Sequence, residues 1–228
     1  LVGHGPRQVL TSRAQDLRAP LRSALDALHR AIHAAKPFDP ATSTRTFRVA
    51  TGEAGELTLN AYGPNLDTAY LQSDPGITVT NDEDHTINGC GNIYARMNNL
   101  GLIDADMSSR TLQLLGDPKT NGGLIAARTG ATLSLSGFSL TQGPPFGVLV
   151  ADDGTINISG CNISGGDLNS AGAGVVRFTG SSTITDLSGN ASPLINPGVQ
   201  LSTNGTIVLT GTTTVNSSAS NGNTYINA

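Results

Sequence analysis

LGLIDADMSSRTLQLLG (100–116) and GGLIAARTGATLSLSG (122–137) are two copies of one pattern, and their alignment decides the fold. Gly101-Leu102-Ile103 matches Gly123-Leu124-Ile125 at an offset of 22, and Thr111–Leu114 matches Thr132–Leu135 at an offset of 21. The pattern continues in FGVLVADDGTINISG (146–160), where Gly147 follows Gly123 by 24. AGVVRFTG (173–180) and NGTIVLTG (204–211) read as later, degraded copies, and GITVTNDEDHTINGCG (76–91) as an earlier one. Each copy holds two short alternating runs, such as Leu133/Leu135 and Ile156/Ile158, closed by Gly or Asn. Alternation marks half-buried strands, and one such unit cannot bury its apolar face alone, so the copies must stack. A period near 22 with two or three strands per turn predicts a mainly β chain, a parallel β-helix (β-solenoid), over residues 76–228. About seven turns at ~4.8 Å each would make a rod on the order of 30–35 Å long.

The residue types suit that geometry. Leu, Ile, Val and Ala fall at inward positions, while outward Thr, Ser and Asn can stack on their counterparts in neighbouring turns. The chain of 228 residues has no Trp, only 13% charged residues and a net charge of −4. Charge-rich disorder needs low hydrophobicity together with high net charge, which this composition does not supply. No apolar run reaches the roughly 18–20 residues of a membrane span. The opening residues do not read as a secretion signal. Cys90 and Cys161 stand far apart in the chain, without the dense spacing of a disulfide framework or zinc site, and read as small buried hydrophobes.

The composition breaks in two. Residues 1–48 carry eight basic and three acidic residues, whereas 49–228 carry five basic and fourteen acidic ones, and 26 of the 28 glycines lie in the second part. Residues 1–48 therefore read as a separate basic segment, 49–75 as a junction with the first strands, and 76–228 as the repeats. In the first segment Thr11 can cap a glycine-free run whose apolar residues, Ala14, Leu17, Leu21, Leu25, Leu28 and Ile32, are spaced three and four apart. That spacing predicts an amphipathic helix, kinked or delayed by Pro20 and ended before Pro37. Its stripe must pack on the solenoid as a cap or on a second copy as a dimer.

Two resemblances follow from these residues. LVGHGPRQVLTSRAQDLRAPLRSALDALHRAIHAAKPFDPATSTRTFRVATGE (1–53) resembles the wing end, linker helix and first effector strand of LysR-type transcriptional regulators. That resemblance implies dimerisation through the helix and phosphate contacts from Arg7 and Arg13. The DNA-reading helix and the inducer-binding domain of that family are not seen in these residues, so nucleic acid is not an expected partner. GLIDAD, GGLIAARTGATLSLSG and GTINISG are similar to the β-helical repeats of bacterial secreted or surface proteins of the adhesin and autotransporter type. The join between the two parts, between Glu53 and Ile77, reads as a fusion.

For chemistry, Asp82 and Asp104 are separated by an offset of 22, as are Asp84 and Asp106. A uniform turn of that length would stack each pair about 5 Å apart, the arrangement of a calcium site or of the acidic cleft of a pectate-lyase-like enzyme. The dense GGxGxD calcium pattern does not occur, so calcium rests on those four acids alone, and the plainer reading is a solvated column offset by Arg128. Arg128 beside Asp106 is the one register-compatible cation for a lyase. No catalytic residue is assigned. The expectation is a non-enzymatic extracellular or cell-surface solenoid, an adhesive spacer for glycans or surface proteins. The alternatives are a polysaccharide-acting β-helix enzyme and a truncated cytoplasmic regulator fusion with weak DNA binding.

Overall fold

A computed structural model describes residues 55–61, 69–143, 147–204, 206–215 and 225–227, all in the unit Thr44–Ala228. The expected helix with Leu17, Leu21, Leu25, Leu28 and Ile32, and also Arg7 and Arg13, lie outside the described residues. Among the described residues there are strands and turns and no α-helix, hence none long and apolar enough to cross a membrane.

The chain winds through three parallel ladders in fixed order. The first ladder starts at Glu56–Asn60 and passes through Thr86–Ile93, Leu102–Ala105, Leu124–Ala127, Val148–Asp152 and Asp167–Ala171. The second runs through Thr111–Leu115, Thr132–Ser136, Thr155–Ser159 and Val175–Phe178. The third begins at Val79–Asn81 and passes through Met97–Asn99, Lys119–Asn121, Ser139–Gln142, Asn162–Ser164 and Ser182–Thr185. This is a parallel β-solenoid with three strands per turn, as the internal repeat predicts.

The turns vary in length. Thr86 pairs with Leu102, Leu102 with Leu124, Leu124 with Val148, Val148 with Asp167, Asp167 with Ser188 and Ser188 with Val208, so the successive steps in number are 16, 22, 24, 19, 21 and 20. Glu56 pairs with Thr86, so a longer first loop precedes these six turns. The shortest step, Thr86 to Leu102, has a local cause. In TINGCGNI (86–93) the strand passes from the first ladder into the second without a connecting loop. Gly89 (φ +103°) and Gly91 (φ +145°) make that corner, in backbone regions that side chains avoid.

The core is a set of columns, each taking one side chain per turn. Ile87, Ile103, Ile125, Leu149 and Leu168 stack in the first ladder, and Leu112, Leu133, Ile156 and Val176 in the second. Leu114, Leu135, Ile158 and Phe178 form a parallel column, and all of these residues are buried. Each such side chain contributes roughly 1.5–3 kcal/mol by leaving water. Cys90 and Cys161 are buried and unpaired, filling core positions as hydrophobes.

The third ladder departs from an all-apolar interior. Asn81, Asn99, Asn121 and Gln142 point inward at its end and are at most 6% exposed. Asn81 Nδ2 donates to Asn99 Oδ1 at 2.7 Å, Asn99 Nδ2 to Asn121 Oδ1 at 2.7 Å, and Asn121 Nδ2 to Gln142 Oε1 at 3.3 Å. Gln142 Nε2 closes the ladder on the Gly165 carbonyl at 3.1 Å. The amides also tie the next corner, since Asn81 reaches the Leu102 carbonyl and Asn121 the Val148 carbonyl. Asn99, Asn121 and Gln142 are tolerated inside because both ends of each amide are bonded.

Candidate functional site

The residues on the outer face of the first ladder follow from its alternation. In Leu102–Ala105, Ile103 and Ala105 turn inward, so Leu102 and Asp104 face out. Arg128 follows Leu124–Ala127 at the corner. Its Nε donates to both Asp104 oxygens, at 2.9 and 3.1 Å, and its Nη1 donates to Asp152 Oδ2 at 2.8 Å. One guanidinium thus clamps three successive turns. Burial pushes the Asp104 carboxyl above its ordinary range, against the pull of Arg128. Burial acts to lower Arg128, but the charges and hydrogen bonds of Asp104 and Asp152 outweigh it and hold the guanidinium above its usual value.

The four acids singled out by spacing are not brought together. The register sets Asn88, not Asp82, beside Asp104, because this turn is shorter than the repeat on either side of it. Asp82 and Asp84 are exposed in the turn before Thr86, and Asp82 lies by the Leu100–Gly101 corner through its backbone. Asp106 serves the glycine corner: its Oδ1 accepts from the Gly89 amide at 3.0 Å and its Oδ2 from Asn88 Nδ2 at 3.4 Å. Asn88 Nδ2 also donates to Glu56 Oε1 at 2.6 Å. Among the described residues, no group of three or more His, Cys, Asp or Glu is placed to hold a metal ion. Spacing set Arg128 beside Asp106, but its guanidinium bonds Asp104 instead, and of the expected column only Asp152 is its partner.

Two features escape a spacing argument. Lys119 occupies an inward position of the third ladder, between Met97 and Leu140, and is 3% exposed. Its Nζ bends back to the Leu115 and Asp117 carbonyls, at 2.8 and 2.9 Å, and lies 4.6 Å from the centre of the Phe138 ring. Burial lowers its pKa to about 8, against the favourable charge of Asp117. Burial likewise raises the neighbouring Cys161 thiol, which stays protonated and inert.

The second feature is a notch of about 380 Å³ at the corner between the second and third ladders, lined by Gln72, Ser73, Tyr94, Arg96, Gly116 and Asp117 among others. Backbone bonds lock its floor. Tyr94 N and Ala95 N both donate to the Leu71 carbonyl, at 2.9 and 3.2 Å, and Asp117 N donates to the Tyr94 carbonyl at 3.2 Å. At Gly116 (φ +77°) an added Cβ would meet the Tyr94 carbonyl oxygen at 3.2 Å, with the ring's Cδ1 at 3.4 Å.

No known protein family matches the chain, and neither a curated protein nor a solved structure matches it.

Proposed function

We propose that the solenoid is a non-enzymatic, extracellular or cell-surface spacer with an adhesive outer surface. The observation that carries this reading is the commitment of Arg128 to Asp104 and Asp152. A β-helix lyase needs a free base beside an acidic site to take a proton and to stabilise the resulting anion. Here the cation of the first ladder's acidic row has carboxylates from neighbouring turns on both sides, which supports a structural role for that row. The outer surface supplies the adhesive part. Short polar side chains recur along the ladders, as in Thr111, Thr132 and Thr155, and Thr120 Oγ1 donates to Asn98 Oδ1 at 2.8 Å across a turn. Rows of hydroxyls and amides on a rigid frame offer many weak hydrogen bonds to a hydrated partner.

The test has two parts. Antibody labelling of intact source cells should reach the protein without permeabilisation, and purified protein should be retained on those cells or their matrix. Labelling only after permeabilisation, with no retention, would overturn the reading.

A further inference from the structure

We infer that the notch at Tyr94 is a binding subsite for an uncharged pyranose unit of a polysaccharide. The inference rests on the adhesive reading above and gives it a location and a ligand class.

Three observations converge. The first is size: about 380 Å³ lies within the ordinary range of small-ligand pockets, roughly 300–1,000 Å³. The second is the set of groups it gathers. Tyr94 offers an aromatic surface for the C–H face of a sugar ring. Asp117 accepts from hydroxyls, Arg96 donates to them, and Gln72 does both. Among the described residues neither Arg96 nor Asp117 is in a salt bridge, so both heads are available, and their charges cancel. A pair of opposite charges suits a ligand that brings no net charge of its own. The third is Ser73, a wall residue of the notch: its hydroxyl oxygen is closed to solvent and has no hydrogen-bond partner among the described residues. A buried unsatisfied hydroxyl costs about 1–3 kcal/mol, and turning the Ser73 side chain about χ1 is what would bring this oxygen to a ligand hydroxyl and relieve that cost.

The backbone of the site is held in place. Its residues come from three successive turns, 72–76, 94–96 and 116–117, held by the backbone bonds around Leu71 and Tyr94 and by Val79 N on the Arg96 carbonyl at 2.9 Å. A preformed site loses little entropy when it binds.

The experiment presents the full chain to an array of neutral hexose and N-acetylhexosamine oligosaccharides beside uronic-acid and sulfated ones. Any hit is titrated by calorimetry against the parent, Tyr94→Ala and Asp117→Asn, with thermal melts as the control for folding. The expected result is binding to at least one neutral oligosaccharide, weakened about tenfold or more in each variant at an unchanged melting temperature. Because Asp117 supports Lys119 through its backbone carbonyl, Asp117→Asn keeps that contact and serves where Tyr94→Ala disturbs the fold. Binding that survives both variants overturns the notch and leaves the adhesive reading standing. Binding only to charged glycans overturns the assignment to uncharged sugars. No glycan binding by a parent protein that still adheres to cells overturns the subsite alone, while failure of both removes the subsite and the reading beneath it.

Discussion

Asn99 and Asn121 face one another inside the solenoid, with Asn99 Nδ2 donating to Asn121 Oδ1 at 2.7 Å and both side chains at most 1% exposed. Asn121 is the central rung, bonded above to Asn99 and below to Gln142, and its Oδ1 also accepts from the Gly123 amide at 3.3 Å. Truncating it strands partners that water cannot reach. Asn121→Ala should therefore cost about 2–4 kcal/mol in denaturant unfolding. Asn98→Ala, next to Asn99 but facing outward to Thr120, should cost under about 1 kcal/mol. Equal costs would show that the inward ladder has no special role.

Lys119 makes stability depend on pH. Its folded pKa, about 8, lies below the ordinary 10.5, so between those values the unfolded chain holds a proton that the folded chain has released. Stability from this site therefore rises as pH climbs from 8 to 10.5. Lys119→Met, which continues the column of Met97 and Leu140, should be the more stable protein at pH 7. The gain is at most on the order of 3 kcal/mol, less the loss from two carbonyls left without a donor. That advantage should shrink across the window. Cys161, whose raised pKa acts in the opposite direction there, also feels the Lys119 charge, so the two proteins are compared in a shared Cys161→Ala background that removes its titration. An advantage that is constant with pH would contradict the buried-amine account.

Gly89 is a sharp backbone constraint at the corner between the first two ladders. A Cβ at this residue would lie 2.0 Å from the Leu59 carbonyl oxygen, and its φ is +103°. Gly89→Ala should cost roughly 3 kcal/mol or more, because the strain and the clash with a neighbouring backbone add. Gly137→Ala tests the contribution of φ alone: its φ is +68° and nothing among the described residues lies within 4 Å of the added carbon. It should cost only about 1–2 kcal/mol. Melting temperatures that fall by the same amount would remove the corner argument.

Arg128 holds down the Asp104 carboxyl, whose shift is set by burial first and by the guanidinium second. In Arg128→Met the opposing influence is gone, so Asp104 should titrate at higher pH than in the parent, as followed by carboxyl-carbon NMR. The stability lost at pH 7 should be about 1 kcal/mol, since the pair is only partly shielded from water. Because the Asp104 pKa is already raised, its contribution is greatest at low pH and falls as pH rises through the folded value. In acid the protonated carboxyl no longer draws on the guanidinium, so the cost of losing Arg128 should diminish there. An unchanged Asp104 titration would sever the link between the two residues.

The stacking was legible where neighbouring turns repeat the same residue types. Leu102 on Leu124 and Leu133 on Ile156 follow directly from the repeat. The pairing of Asp82 with Asp104 failed because it assumed a constant turn, whereas Gly89 and Gly91 remove a corner and shorten that turn, setting Asn88 beside Asp104. The inward asparagines were readable in principle: Asn99 and Asn121 each stand just ahead of the repeated Gly-Leu-Ile, in Asn99-Leu100-Gly101 and Asn121-Gly122-Gly123. They pass for turn punctuation because Asn before Gly usually is that. Lys119 has no periodic counterpart, and only the fold reveals that its register position is interior. The notch combines residues from three turns, with Gln72 and Ser73 drawn from the irregular first loop, so no single window of sequence contains it.

The central claim is that the acids and the cation of the first ladder are a clamp and that the solenoid binds without turning over a substrate. The most direct test is a polysaccharide-release assay on the parent and on Asp104→Asn, with retention and soluble product measured in the same vessel. The account predicts retention by both proteins and no accumulation of product with time. Sustained product release by the parent that Asp104→Asn abolishes would contradict it.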